Sequence, residues 1–313
     1  MNKNLYLTAI VVFSLLFAGC SPSAPQVDQQ APAIAVKAPP EQTITIGVVS
    51  DDPADAIATF QPLAEYLAKK LADQNILASR VVVAATLEDM EAKLISGEVD
   101  LFFESPYGAA QAYEDVGAIP LLRRWKGGIG EYYSVIIALK SSGISGVSGL
   151  RGKMVAFEDH GSTAGYILPK ALLVNQGFAA TEKQEATSSV MPEEIGYFFS
   201  GSTENSLALL LAGKIDAVGI QFDDYEELPA DQKDQTKVIV KTQAVPRHMV
   251  MASPKLSAAF RQAISAVLLD MENSEDGLAM LALTEKTTRF DDFPPLGPAR
   301  TINELVELFS SDN

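Results

Sequence analysis

Residues 157–173 read Phe157-Glu-Asp-His-Gly-Ser-Thr-Ala-Gly-Tyr-Ile-Leu-Pro-Lys-Ala-Leu-Leu173. The run from Lys153 to Phe157 predicts a strand, and it ends in a polar Gly161-Ser162-Thr163 turn. Beyond the turn, Tyr166, Leu168, Leu172 and Leu173 recur at helical spacing, with Pro169 where a first turn tolerates it. The turn therefore leads into a helix N-terminus. Its first amides have no partner inside the helix, and the helix dipole places about half a positive charge there. Two hydroxyls beside such amides suit a tetrahedral oxyanion. A plain Ser or Thr N-cap accounts for the same residues, so the rest of the chain must decide between the two.

The first twenty residues carry Lys3, an apolar run from Leu5 to Phe17, and then Ala18-Gly19-Cys20. That order is expected of a secretory signal ending at a lipidated cysteine, and the run is too short for an ordinary membrane-spanning helix. The segment resembles a bacterial lipoprotein signal, although Phe17 is an unusual residue three places before the cysteine. The mature chain is expected to start at Cys20, acylated and anchored on the outer side of a bacterial membrane. Cys20 is the only cysteine, so its modification leaves no thiol for a disulfide, a thiolate metal site or covalent catalysis. Residues 21–42 are rich in Pro, Ala, Ser and Gln without apolar periodicity and read as a disordered tether.

From Thr43 onward the chain has apolar content for one large or two medium compartments. The whole sequence has 24 basic and 40 acidic residues, a net charge of −16. Nucleic acid and anionic membrane surfaces are thereby excluded as expected partners. The same field slows an incoming anion, so an anion site here has to work through short-range hydrogen bonds.

Thr43 to Val49 predicts a strand, followed by a helix from about Thr59 with Leu63, Tyr66, Leu67 and Leu71 on one face. Val81 to Ala84 predicts a buried strand. Thr86 and Asp89 open the next helix as a variant capping box, and Ser96-Gly97 closes it. Asp100 to Tyr107 is an apolar strand ending in polar groups, with a helix starting at Ala109 to Tyr113. Strand and helix alternating in this way predict an α/β fold with mainly parallel sheets covered on both faces. Ligands bind such sheets beyond the carboxyl ends of the strands, where Glu104, Ser105 and Tyr107 fall. Strands at Ala118 to Arg123 and Tyr132 to Leu139 precede a Ser/Gly-rich passage, Ser141 to Gly149, where the chain is expected to cross into a second compartment. The expected division is 43–138 plus 242–313 for lobe I and 139–241 for lobe II. Lobe II would hold the Gly-Ser-Thr helix, a strand near Lys183 to Thr187, a helix from Glu204 to Ala212 and the segment Lys214 to Tyr225. Val238 to Lys241 would return the chain, giving a two-stranded hinge, with helices at Ser257 to Met271 and Ile302 to Phe309 packing on lobe I.

These pieces resemble the phosphate, phosphite and phosphonate substrate-binding proteins of ATP-driven importers, a branch of the type II periplasmic binding proteins. The resemblance covers about Thr43 to Phe293. It rests on Ile46-Gly47-Val48 with Phe60-Gln61-Pro62-Leu63, on Ser96-Gly97-Glu98-Val99-Asp100 leading to Ser105-Pro106-Tyr107, and on Leu150-Arg151-Gly152-Lys153. Its most specific part is Phe157 to Pro169, similar to a family pattern of Phe, a short spacer, Ser-Thr-Ser-Gly and a later proline. Gly213-Lys214-Ile215-Asp216-Ala217 matches a further recurrent piece. The resemblance implies two lobes closing on a ligand, with Ser162 and Thr163 as anion-binding hydroxyls and Tyr107 approaching from the other lobe. Ala164 replaces the third hydroxyl, Thr203 stands where a histidine is frequent, and Phe60 stands where a tyrosine is frequent. Gln221 occupies the place of a ligand-facing acid, with Asp223 and Asp224 as neighbouring substitutes. A neutral glutamine forms no ion pair, which argues against an aminoalkylphosphonate and leaves phosphate, phosphite, a simpler phosphonate or another oxyanion.

Micromolar affinity needs about 8 kcal/mol, and hydrogen bonds to a charged group supply about 1.5–3 kcal/mol each. Ser162, Thr163, the amides of residues 163–165, Tyr107, Thr203 and Ser105 are the expected donors. Arg123 and Arg124 either add charge or are solvated or interlobe residues. Glu104, Tyr133, Tyr166 and Tyr225 are expected as walls. His160 lies beside the turn, and His248 on the return strand. Two separated histidines make no metal site, and no cofactor or catalytic constellation is readable. The expectation is a non-enzymatic, monomeric lipoprotein that captures an oxyanion and docks on the permease and ATPase subunits of an importer. An alternative output is signalling to a membrane sensor kinase, and an enzyme on the same scaffold is a lesser one.

Overall fold

A computed structural model describes residues 42–310. The expected signal, Cys20 and the tether to residue 41 lie outside those residues, and Gln42, assigned above to the tether, already opens the first strand. The chain starts with β1 (Gln42–Val49), α1 (Pro53–Lys70), β2 (Ile76–Ala84), α2 (Leu87–Ser96), β3 (Leu101–Glu104), α3 (Pro106–Val116) and β4 (Ile119–Lys126). Helix α1 begins earlier than Thr59 because the Asp52 side chain accepts the Asp55 amide and Pro53 fits the first turn. Thr86 caps α2 as expected, accepting the Asp89 amide at 3.2 Å.

After β5 (Glu131–Tyr132) come β6 (Ser134–Leu139), β7 (Met154–Phe157), α4 (Leu168–Asn175), β8 (Ala179–Glu182) and β9 (Glu194–Phe199). These are followed by α5 (Thr203–Leu211), β10 (Ala217–Gln221), α6 (Phe222–Glu226), α7 (Ala230–Gln235) and β11 (Thr236–Lys241). The chain returns through β12 (Val245–Pro246) to β13 (Met249–Ala252), α8 (Ala258–Asp270), α9 (Glu275–Leu283), β14 (Thr287–Asp291) and α10 (Pro298–Ser310).

Two six-stranded sheets result, ordered β14-β4-β13-β3-β1-β2 and β11-β6-β10-β7-β9-β8. From the pairings, four strands of the first sheet and five of the second point the same way. In each lobe the strand contributed by the incoming chain, β6 or β13, is inserted antiparallel: β6 between β10 and β11, β13 between β3 and β4.

The crossing lies earlier than expected. Strand β6 pairs with β10 and β11 in the second sheet, so residues 134–138 belong to lobe II. Its residues bury both faces, Val135 and Ile137 on one side and Ile136 and Ala138 on the other, as an interior strand requires. The two connections meet as a short antiparallel ribbon, with Tyr132 opposite Val245 and Glu131 opposite Pro246. The Ser/Gly-rich passage is a surface loop within lobe II, and Val238 to Lys241 stays in that lobe as part of β11. The strand expected near Lys183 ends at Glu182, and β9 was not anticipated at all.

Lobe I buries Ile44, Ile46, Phe60, Leu67, Phe103, Val250 and Phe290 in one cluster. A second cluster runs from Phe102 and Ala109 past Tyr132 and Val245 to Phe157 and Leu168, so apolar packing continues through the ribbon. Among the described residues no helix is long and apolar enough to cross a membrane.

In lobe II, Gly219 of β10 lets Phe157 and Pro169 pack directly on the strand. A Cβ there would lie 2.7 Å from Phe157 Cε1 and 2.9 Å from Pro169 Cγ. Gly219→Ala should cost about 1–3 kcal/mol of stability by overpacking, measured by urea unfolding.

Candidate ligand-binding cleft

Helices that follow parallel strands present their N-termini at the carboxyl edge of the sheet. In this chain the starts of α2 and α3 in lobe I face residues 158–162 of lobe II around a cavity of about 810 Å³. Thr86, Glu104, Ser105 and Tyr107 line one wall; Glu158, His160 and Ser162 line the other. A second cavity of about 670 Å³ lies between α5 and α6, with Thr203, Leu207, Asp224 and Leu228 in its walls. Glu158 borders both. No lysine or arginine lines either cavity among the described residues.

The lobe II tip is built around a π-helical turn, Thr163–Ile167, leading into α4. Ser162 Oγ accepts the Gly165 amide at 2.9 Å and donates to Glu158 Oε2 at 2.7 Å. The Ser162 carbonyl receives both the Tyr166 and Ile167 amides. The Thr163 and Ala164 amides have no hydrogen-bond partner among the described residues. Ser162 is thus both an N-cap and a wall of the cleft, so the two readings of this turn are compatible.

Thr163 is buried, with 3% exposure, and is engaged across the lobes. Its Oγ1 accepts the Tyr107 amide at 3.1 Å and donates to Ser105 Oγ at 3.1 Å. Ser105 heads α3 without capping it, which leaves its hydroxyl free for this contact. Burial pushes the phenol of Tyr132, in the ribbon, up from its ordinary value.

Acidic groups dominate the electrostatics. Burial pushes the Glu104 carboxyl up, although the Ser105 amide donates to its Oε1 at 2.6 Å. Asp224 reaches solvent at a rim crowded by the cavity walls. Burial drives its carboxyl up to about 6, against the pull of Arg247 and with a push from Glu158.

The structure gathers Ser105, Tyr107, Glu104, His160 and Ser162 on the larger cavity, and Thr203 on the smaller one. Tyr107 packs edge-on against Phe309 of α10, and His160 lies 3.9 Å from the Phe199 ring. Ala164 is buried and its side chain borders neither cavity. Tyr133 is stacked between Phe222 and Lys241, and Gln221 Nε2 donates to Asp223; neither borders either cavity. Phe60 is in the lobe I core, 5.6 Å from Phe103 and beneath the Arg124 guanidinium. Tyr166 and Tyr225 are buried core residues.

The two arginines are structural. Arg123 forks onto Asp291 at 2.8 and 2.7 Å and reaches Glu131 of the ribbon, while buried Arg124 pairs with Glu285 at 2.8 Å. His248 immediately precedes β13, and burial holds its imidazole well below the usual range. Sequence reasoning missed Glu158, Tyr132 and Arg247, whose guanidinium lies 4.7 Å over the Tyr132 ring. Glu158 follows the carboxyl end of β7, so the rule that found Glu104 would have found it too.

The sequence pattern of the family described as "ABC transporter, phosphonate, periplasmic substrate-binding protein" matches residues 46–293. The chain belongs to this family. Its two lobes have the fold of type II periplasmic binding proteins. A relative named phosphate-import protein PhnD, from Mycolicibacterium smegmatis, is 28% identical over 69% of this chain; the match spans 64% of that protein's length. The structure of XAC2383 from Xanthomonas citri bound to ATP superposes with a TM-score of 0.79 at 25% identity, covering 86% of this chain and 97% of that one. PhnD1 from Prochlorococcus marinus, in complex with methylphosphonate, shares the fold at a TM-score of 0.58 and 16% identity, covering 86% and 97%.

Thr163→Val should leave the Tyr107 amide without its acceptor and cost about 1–3 kcal/mol in urea unfolding; scattering should show a larger radius of gyration as the lobes part. Asp224 holds its proton up to about pH 6, against 3.8 for an ordinary aspartate. Its contribution to stability is present below the ordinary value and is lost as pH rises through 6. Asp224→Asn should therefore raise stability at pH 7.5 by about 0.5 kcal/mol, given solvent screening, and change nothing at pH 3.

Proposed function

We propose that this chain is the extracytoplasmic receptor of an ABC importer that captures a small phosphorus oxyanion between its lobes. The ligand class is phosphate, phosphite or a phosphonate, delivered to a permease driven by ATPase subunits. The observation that carries this reading is the pair of unpaired amides at Thr163 and Ala164, at a helix tip beside the cleft. Such amides bind tetrahedral oxygens without needing a cation, and Ser162, whose hydroxyl donates to Glu158, caps the turn that presents them. Family membership supports the transport role, as does the name of the Mycolicibacterium relative. The ATP in the Xanthomonas structure carries phosphoryl groups of the same chemistry, and an 810 Å³ cleft leaves room for a substituent on phosphorus.

Closure follows from the same residues. Thr163 already joins Ser105 and the Tyr107 amide across the lobes. A ligand bound beside it adds bonds that only the closed arrangement provides, so binding stabilises the form that the permease recognises. Acylation at Cys20 would hold the receptor at the membrane, and binding and release require no covalent step.

The test is a thermal-shift panel on the full-length chain with phosphate, phosphite, methylphosphonate, ATP, sulfate, arsenate and arsenite. A ligand at one hundred times its Kd adds about 2.7 kcal/mol to stability. At least one phosphorus oxyanion should stand clear of sulfate. A flat panel would falsify the oxyanion reading.

A further inference from the structure

Glu158 is held in place by more contacts than a surface acid needs. Pro169 has no amide to donate back into its helix, and the carbonyl of Gly165, four residues earlier, instead receives the Glu158 amide at 3.2 Å. The Glu158 carbonyl accepts the Gly201 amide at 2.9 Å. Its side chain crosses the bare face of Gly165, where a Cβ would sit 2.5 Å from Oε2. That oxygen accepts the Ser162 hydroxyl at 2.7 Å, while Oε1 has no hydrogen-bond partner among the described residues. A fixed carboxylate with one open oxygen thus stands where the two cavities meet, beside the helix tip.

A carboxylate is an acceptor only. A fully deprotonated oxyanion is also an acceptor only, so the two cannot hydrogen bond. Without a lining lysine or arginine, only the helix-tip amides offset their repulsion. A phosphorus oxyanion that keeps one P–OH supplies the missing donor. A sulfonate or sulfate of the same shape has no proton to give near neutral pH.

We propose that Glu158 is a ligand-contacting residue that makes this cleft select a monoprotonated phosphorus oxyanion over a sulfur oxyanion. This rests on reading the cleft as an oxyanion site. The acids around Glu158 act in the same sense, although Arg247 pulls the other way at Asp224. Asp159 adjoins it, Glu104 faces it from β3, Glu204 from α5, and Asp224 and Glu227 from α6 and the residue after it; His160 is the titratable base beside it. The acids disfavour a second negative charge on the ligand. Affinity should therefore fall as pH rises through the ligand's second ionisation.

The experiment is titration calorimetry of the full-length chain with methylphosphonate and methanesulfonate at pH 6 and pH 9. Methylphosphonate should bind at least about 100-fold more tightly than methanesulfonate at pH 6, and at least about tenfold more weakly at pH 9 than at pH 6. Glu158→Gln provides an amide donor, so the preference should shrink by about tenfold or more and the pH dependence should flatten. Ser162→Ala keeps the carboxylate and opens its Oε2, so the preference for methylphosphonate must persist. If Glu158→Gln does not fold, Glu158→Asp, which withdraws the charge by one methylene, must lower the ratio. Equal binding of the two ligands by the natural chain overturns the proposal and leaves the oxyanion site standing. So does a folded Glu158 variant with an unchanged ratio. Absence of heat with phosphate, phosphite and methylphosphonate at both pH values removes the oxyanion site and this proposal together.

Discussion

Everything at the cleft depends on one topological constraint: a helix that follows a parallel strand must begin at the strand's carboxyl end. Strands β2, β3, β7 and β9 each run into a helix or helical turn, so polar starts at Thr86, Ser105, Ser162 and Thr203 are delivered to the carboxyl edges of the two sheets. The antiparallel insertion of β6 and β13 repeats in both lobes. It places the entering chain in the middle of each sheet, so the connecting ribbon starts from the two rigid cores. Motion between lobes is then confined to the few residues of β5 and β12 and their flanks.

The same helix starts serve two purposes that compete. Thr163 spends its hydroxyl on closing the lobes, as donor to Ser105 and acceptor from the Tyr107 amide. On the proposed reading, ligand contact at the tip is left to the Thr163 and Ala164 amides, because Ser162 donates its one proton to Glu158. Replacement of a third hydroxyl by Ala164 costs the tip one side-chain donor but keeps an amide in place. Tyr107, expected to close on a ligand from lobe I, contributes its backbone amide to the latch while its ring packs on Phe309.

Much of this was legible because it follows from local rules. Capping at Thr86, the Gly161-Ser162-Thr163 turn and the polar end of β3 need only spacing and residue type. The placement of β6 was not legible: its apolar residues face cores on both sides, and a one-dimensional pattern does not say which sheet an interior strand joins. Phe60 illustrates a second limit. Aligned on a frequent tyrosine, it suggested a cleft wall, yet on α1 it shares the face of Ala56, Leu63 and Leu67 and so goes to the core. Glu158 was within reach of the carboxyl-end rule, but its anchoring was not: that depends on a missing Pro169 amide and a missing Gly165 side chain, features whose effect appears only when the two elements meet in space.

Net charge and site chemistry are then consistent. A chain of net charge −16 cannot steer anions over distances beyond the Debye length, and salt screens most of that field at about 10 Å. In the proposed receptor, capture falls to contacts of hydrogen-bond range, where unpaired amides attract oxygen regardless of the protein's overall sign. A lining lysine or arginine would strengthen binding to every oxyanion alike. Amides combined with an acceptor-only carboxylate instead bind through a pattern of donors and acceptors, and that pattern distinguishes ligands by where their protons are.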